Sequence, residues 1–500
     1  MVTPYYLKVK KLDFTAGSKL IVLINEEEAY HFGIHAGDKV SICWRGKKKL
    51  VVDINLSDKQ IKPGEIGMYE EIWRKNSMEN NEIVEMTVLG RPASIQAIKK
   101  KLLGHPLTKE DARSIVEDIA TNRISSTEIA YFVAATFLYS YTDDELYYMT
   151  KSVAETGEII KYSGTVVDKH SVGGIAGNRT TMVVIPIIAS LGLKIPKTSS
   201  RAITSPAGTA DTMEVLAPVS LSAVEMKEVV KKTNACMIWG GSFNLAPADD
   251  KMLKVTYPLS LEPYDKMIVS VMAKKVATNV KYLVIDMPVG DTAKILDMAT
   301  ADMLEKKFIY VAKRFGIKIK VFKNIGLDPI GQGIGPTLEA RDVLRVLQQK
   351  EGRPMDLEEK SLELAAELYN LVKNIGMAKA RKEVALALSS GKAWSKMKEI
   401  IKAQGGQEKI DSEGIELGNV THSIKATKSG EVIKTDNKNI NALCRILGAP
   451  LDKKAGIYLE AEYGKKVVAG QSIYTFYASN EQRMALALAA VDKLKIFTIK

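Results

Sequence analysis

Apolar and polar residues alternate along YYLKVKKLDF, KLIVLINEE, KVSICWRG and KLVVDINLS, with Gly17, Gly33, Gly37 and Gly46 between the runs. A period of two broken by glycine predicts half-buried strands joined by turns. Residues 1–86 therefore read as a compact β-rich domain, to which barrel closure is open. From Met86 the period lengthens to three and four residues. SIQAIKKKLLG, TKEDARSIVEDIATNRIS, STEIAYFVAATFLYS and TDDELYYMTKSVAETG predict a helical lobe over 87–163, with Thr108, Ser125 or Ser126, and Thr142 as N-caps. Strand and helix signals then alternate through TVVDKHS, SAVEMKEVVKKTNACMIWGGS, YLVIDMPVG and KIKVFKNIG, the pattern of an α/β lobe. That lobe is assigned 164–245 and 281–419 and a mixed sheet, with Gly164 as a hinge before it. The stretch 246–280 is helical again and is placed with the helical lobe. Residues 420–500 read as a small α+β domain. The fold class is thus multidomain α/β.

One stretch of this pattern carries chemistry. Gly164 to Leu216 holds five glycines between Gly164 and Gly192, together with Ser171, Thr180, Thr181, Thr198, Ser199, Ser200, Thr204, Ser205 and Thr209. Gly173-Gly174 lets backbone N–H groups converge on an anion, because glycine reaches positive φ without steric cost. Lys169 adds a full charge. Thr180-Thr181 opens an apolar run, and hydroxyls at a helix N-terminus suit phosphate, although Pro186 would kink or interrupt that helix. A second hydroxyl-rich turn, SSRAITSPAGT, supplies Arg201, whose guanidinium fork suits phosphate. Two such turns on consecutive strand-to-helix junctions imply one shared oxyanion pocket. An ordinary Gly-rich turn of an α/β protein is the plainer alternative. Neither a P-loop nor GxGxxG is present in this stretch. The cluster GQGIGPTLEARDVL reads as a structural turn into a helix, with Pro336 in its first turn.

Composition narrows the picture without changing it. At 46% hydrophobic and 26% charged residues the chain is ordinary globular material, and its net charge of +12 steers anionic ligands toward it. The basic residues are spread out and interleaved with acidic ones, which disfavours nucleic acid as a partner. Cys43, Cys236 and Cys444 form no CxxC, so neither disulfide framework nor zinc site is expected. His31 and His35 are expected to be structural or surface histidines. The sequence has no signal-peptide core and no long uncharged apolar run, so a cytoplasmic protein without membrane contact is expected.

KHSVGGIAGNRTT followed by SSRAITSPAGTADTMEVLAP resembles the signature of the thymidine phosphorylase family, most closely its archaeal-type AMP phosphorylase branch. The resemblance continues through GGSFNLAPADD, YPLSLEP, SVMAKK and GQGIGPTLEARDVL into the C-terminal region. It implies the nucleoside phosphorylase type 2 architecture and phosphorolysis of nucleoside 5′-monophosphates. AMP and phosphate would give adenine and ribose 1,5-bisphosphate, with CMP and UMP as further substrates, in AMP catabolism that feeds a type III RuBisCO. It implies no cofactor, no metal, and a homodimer or larger homo-oligomer built through the terminal domains. Carried over position by position, it assigns phosphate to Lys169, Ser171 and Thr181. It assigns the nucleotide to Gly174, Ser200, Arg201, Ala202, Ile203, Thr204, Ser205, Thr209, Ser270 and Lys294. Lys274, one turn after Ser270 on the same helix face, joins them through the family's nucleobase-facing helix. Arg201 and Lys294 are picked on charge to read the 5′-phosphate. The branch places Asp in the segment where this chain has Glu262. Glutamate can serve as general acid if burial raises its pKa, and His170 is the rival acid.

Three other readings stay open on the residues alone. A pyrimidine-nucleoside phosphorylase would share the fold and the loop. A phosphoribosyltransferase of the anthranilate type would need magnesium, and no acidic cluster stands beside the Gly-rich turn. A non-enzymatic nucleotide-binding module would need no acid.

Overall fold

The computed structural model describes residues 4–17, 19–46, 48–202, 205–259, 263–326 and 328–500. The chain separates into two compact units, Met1–Ser152 with Ala248–Pro263, and Val153–Pro247 with Tyr264–Lys500.

In the first unit the alternating strands close into a barrel. The strands Tyr5–Lys11, Ile21–Ile24, Lys39–Trp44, Lys48–Leu56, Glu65–Met68 and Ile83–Val88 are hydrogen-bonded in the cyclic order first, fifth, second, fourth, third, sixth. Leu7, Val22, Ile24, Val40, Ile42, Ile54, Ile66 and Met86 fill its interior. Closure pairs both edges of the sheet, so none is left to template aggregation. Two helices of seven residues, Glu26–Phe32 and Glu70–Asn76, interrupt the strands. The first replaces the turn that the glycines around His31 suggest: Asn25 caps it and Gly33 ends it at φ +65°. His31 and His35 are exposed there.

The helices Ser94–Leu102, Lys109–Ala120, Ser126–Leu138 and Asp143–Glu155 follow. Thr108 and Ser125 cap theirs through reciprocal bonds with Asp111 and Glu128, and Thr142 accepts from the Glu145 N–H. A buried ion pair, Lys101 to Glu145 at 2.7 Å, fixes the bundle. The returning segment reaches the same unit, where Lys251 Nζ donates to the carbonyls of Ile119 and Ala120 at 3.0 and 2.6 Å. The next helix, Tyr264–Ala277, belongs to the second unit.

There the strands Lys318–Ile325, Tyr282–Val289 and Val167–Ser171 pair in that order, and Ile195–Ser199 pairs with Ala235–Trp239. Every one of these ladders is parallel, and a bridge from Val166 to Lys194 joins the two groups. Tyr282–Val289 and Ala235–Trp239 are the near-continuous apolar runs of parallel strands covered on both faces. The helices Thr180–Ser190, Pro336–Leu347, Met355–Lys373, Met377–Ser389 and Lys392–Ala403 supply much of the large core. Antiparallel pairing enters at Gly333–Ile334, which pairs with Gly456–Leu459 of the C-terminal sheet. Gly333 and Gly335 lie where a Cβ would meet backbone at 2.5 Å, and the Asp342 carboxylate accepts from the Gln332 and Gly333 N–H groups. The GQGIGP cluster is thus a packing turn with Pro336 at the helix start. No helix among the described residues is long and apolar enough to cross a membrane.

Candidate active site

The Val167–Ser171 strand connects forward to Ile195–Ser199 on one side, while its other neighbour, Tyr282–Val289, arrives from the far end of the sheet. Connections that leave two adjacent strands in opposite directions open a crevice beyond their carboxyl ends, where α/β proteins bind ligands. Ser171 and Asp286 are register partners across this gap. The Gly-rich turn follows Ser171, with Gly173 and Gly174 at φ +93° and +96°. A Cβ on Gly174 would lie 2.4 Å from the Lys294 nitrogen, so glycine is what allows the turn to meet the 290–294 loop. The Thr180–Ser190 helix begins next and keeps Pro186 inside it.

Beneath the turn lies a buried ionic network. Lys169, fully buried, points its amine at the helix start, 2.7 Å from Thr180 Oγ1 and 3.2 Å from Thr181 Oγ1, with Asp286 Oδ2 at 3.6 Å. Burial pushes this amine down to about 8 against the pull of Asp286, with Lys360 and Arg179 lowering it further. Asp286 accepts from Ser171 Oγ at 2.8 Å, from Asn178 at 3.1 Å and from Asn324 at 2.8 Å, and lies 3.2 Å from Lys360. Although burial works against ionisation, the two lysines and these hydrogen bonds hold its carboxyl at about 2.

A second carboxylate, Asp168, takes Lys275 at 2.5 Å and Lys197 at 3.3 Å. Lys197 also donates to the Lys169 carbonyl at 2.7 Å, and burial pushes its amine down to about 7. Arg179 pairs with Glu339 and donates to Thr209 Oγ1 and the Ala207 carbonyl, both at 2.9 Å. Five basic side chains, Lys169, Arg179, Lys197, Lys275 and Lys360, thus face three carboxylates, Asp168, Asp286 and Glu339. Sequestered charge is costly unless compensated, and the surplus beside a glycine turn suits an anion.

Asp286→Asn should therefore destabilise the fold by about 3–5 kcal/mol, because it leaves Lys169 and Lys360 buried without their counter-charge. Denaturant unfolding of the two proteins measures this, and an unchanged midpoint would show that the network does not depend on Asp286.

The structure brings several of the sequence-derived residues to this crevice. Lys169, His170 and Ser171 end one strand, and Thr181 opens the facing helix. His170 is half-buried, and desolvation together with Lys275, Lys197, Lys274 and Lys169 holds its imidazole well below the ordinary value. Lys274 donates to Ser270 at 3.3 Å, the one-turn pairing that their spacing predicts. The Lys294 carbonyl accepts from Tyr264 at 3.4 Å. Ser200, Arg201, Ala202 and Ser205 lie on the next loop, which is pinned by Asp211: its carboxylate accepts from the Ala202 and Gly208 N–H groups at 2.6 and 2.8 Å.

Arg201, picked on charge to read the 5′-phosphate, is engaged by carboxylates here. It meets Glu214 through two bonds of 2.7 Å and Asp211 at 3.2 Å, with its plane over Trp239. Ile203, Thr204 and Glu262 lie outside the described residues. Asp168, Asn178, Arg179, Lys197, Lys275, Asp286 and Lys360 escaped the sequence reading. For Asn178 and Arg179 a signal existed, since both stand inside GNRTT.

Residues 163–394 match the glycosyl transferase family a/b domain, 95–157 the helical bundle domain of the same family, and 432–496 the pyrimidine nucleoside phosphorylase C-terminal domain. Two crystal structures of anthranilate phosphoribosyltransferase, from Thermus thermophilus and Saccharomyces cerevisiae, superpose with TM-scores of 0.52 and 0.51. Their identities are 17% and 15%, and each covers 62% of this chain and 99% or 98% of its own. At that identity the likeness is one of fold. Fold and domain set together define a glycosyltransferase of the phosphorylase class, a pentosyltransferase. The chain is 38% identical to AMP phosphorylase 1 of Archaeoglobus fulgidus, covering 97% of this chain and 95% of the relative. It is 40% identical to AMP phosphorylase of Pyrococcus furiosus, covering 99% and 97%. It belongs to the AMP phosphorylase family.

Proposed function

We propose that the protein cleaves AMP with inorganic phosphate to adenine and ribose 1,5-bisphosphate. The observation that carries this reading is the excess of basic side chains over carboxylates beside the Gly173-Gly174 turn, at the switch point of a parallel sheet, in a chain whose relatives named above are AMP phosphorylases. The reaction needs phosphate held on one side of the sugar's anomeric carbon while the base departs from the other, through an oxocarbenium-like state. Positioning and electrostatic stabilisation supply most of the catalysis, and one acid protonates the leaving base.

In this reading Lys169, Ser171, Thr181 and the Gly174 turn hold the attacking phosphate. Ser200, Arg201, Ala202, Ile203, Thr204, Ser205 and Thr209 form the nucleotide loop, and Ser270 and Lys274 take the base. Lys294 reads the 5′-phosphate. Arg201 joins it only by exchanging Glu214 for the ligand, because both ends of its fork are engaged. Glu262 is the general acid. CMP and UMP are further substrates, and a homodimer in the cytoplasm is the working form. Pyrimidine-nucleoside phosphorolysis is not favoured, because the full-length relatives named above are AMP phosphorylases.

Purified protein given AMP and phosphate should release free adenine only when both are present, and should prefer AMP to adenosine. Equal or faster turnover of adenosine or thymidine would overturn the nucleotide reading.

A further inference from the structure

Two loops meet at the site, and a residue of the C-terminal domain is wedged between them. Asn437, fully buried, is the first residue of the helix Asn437–Leu447. Its Oδ1 accepts from the Ala176 N–H at 3.0 Å, and its Nδ2 donates to Thr292 Oγ1 at 2.8 Å. Ala176 stands two residues beyond Gly174, and Thr292 two residues before Lys294. One amide therefore ties both loops within two residues of the point where Gly174 leaves no room for a Cβ beside the Lys294 nitrogen.

The Asn437 backbone is fixed in turn by Asp436, whose carboxylate accepts from the Lys438 and Asn439 N–H groups at 3.0 Å. The far side of Ala176 is held as well, by the Ile330 N–H bonded to its carbonyl at 3.1 Å. The same domain reaches the nucleotide loop. Arg445, on the Asn437 helix, donates to the Ser205 carbonyl at 3.3 Å, and Lys453 contacts Glu214, the partner of Arg201, at 2.6 Å.

We infer that Asn437 is a positioning residue of the active site, which sets the Gly173-Gly174 turn against the Lys294 loop and makes the C-terminal domain part of the phosphate site. The inference rests on the phosphorolysis reading above. The amide serves both loops at once, since it accepts from the Ala176 N–H through its oxygen and donates to the Thr292 hydroxyl through its nitrogen. Without it the turn and Lys294 lose their common reference, and misplacements of about 1 Å in a preorganised site cost up to about 10²-fold.

The test compares wild type with Asn437→Ala, Asn437→Asp, Thr292→Val and the double variant Asn437→Ala/Thr292→Val. The measurements are inorganic-phosphate binding by calorimetry, kcat and KM on AMP, and thermal unfolding. Asn437→Ala should raise the phosphate Kd and KM by about 10- to 100-fold, with a smaller change in kcat. Thr292→Val, which keeps the side-chain shape, should show part of that loss at an unchanged Tm. Asn437→Asp, which retains the acceptor for Ala176, should fall between wild type and Asn437→Ala. The double variant should be little worse than Asn437→Ala alone, since both break one connection.

If Asn437→Ala does not fold, Thr292→Val decides. Wild-type phosphate affinity and kinetics in folded Thr292→Val, or in folded Asn437→Ala, would overturn the proposal while leaving the phosphorolysis reading intact. Wild-type protein that neither binds phosphate nor turns over AMP would overturn both.

Discussion

Lys169→Ala should reduce phosphorolysis of AMP by about 10²- to 10³-fold, the range seen when one preorganised electrostatic contact is removed from a developing charge. Lys169 is the cation at the start of the Thr180–Ser190 helix, where its amine donates to the hydroxyls of Thr180 and Thr181. Lys360 stands on the other side of Asp286, so the loss should be large without being total. The wild-type pH profile provides a second arm. Burial holds the Lys169 amine at about 8, well below free lysine, so the site loses this charge as pH rises through 8. An anion is bound less well by the neutral amine. kcat/KM for phosphate, which reports the free enzyme, should therefore fall between about pH 8 and 9. The descent should vanish in Lys169→Ala. A variant with unchanged KM and kcat for phosphate would remove Lys169 from the site.

Glu262→Gln should lower kcat on AMP by about 10²- to 10⁴-fold with little change in nucleotide affinity, the loss expected when a general acid is removed. Glu262→Asp restores the residue of the AMP phosphorylase branch and should keep substantial activity. The structure supplies a reason to expect less from His170→Ala. Desolvation and four surrounding lysines hold that imidazole well below its ordinary value, so it is neutral near pH 7. A neutral imidazole is a far weaker proton donor than an imidazolium or a carboxylic acid. Parallel kcat measurements on the three variants decide the matter: greater damage from His170→Ala, with Glu262→Gln near wild type, would move the acid to His170.

The local pattern determined the longer elements' types by itself. Alternation in YYLKVKKLDF and KVSICWRG became barrel strands, because one face of each had to be buried and the period of a strand is two. Thr108 and Ser125 were legible as caps because capping depends on residues three positions apart. The glycine turn, Lys169 and the threonines after it were likewise readable, since turn, charge and helix start all lie within one short stretch. The two seven-residue helices in the barrel were not, for seven residues are too few to establish a helical period.

What only the tertiary structure decided is which distant groups share the site. Asp286 bonds Ser171 across 115 positions, and Lys197 and Lys275 converge on Asp168 from 29 and 107 positions away. Arg201, picked on charge for phosphate, is paired with Glu214, while Asn437 reaches Ala176 from 261 positions away. Parallel strands cannot be joined by a tight turn and need a crossover of a dozen or more residues. Their register partners therefore carry no spacing signal, and the charge balance of the crevice exists only once the crossovers have been made.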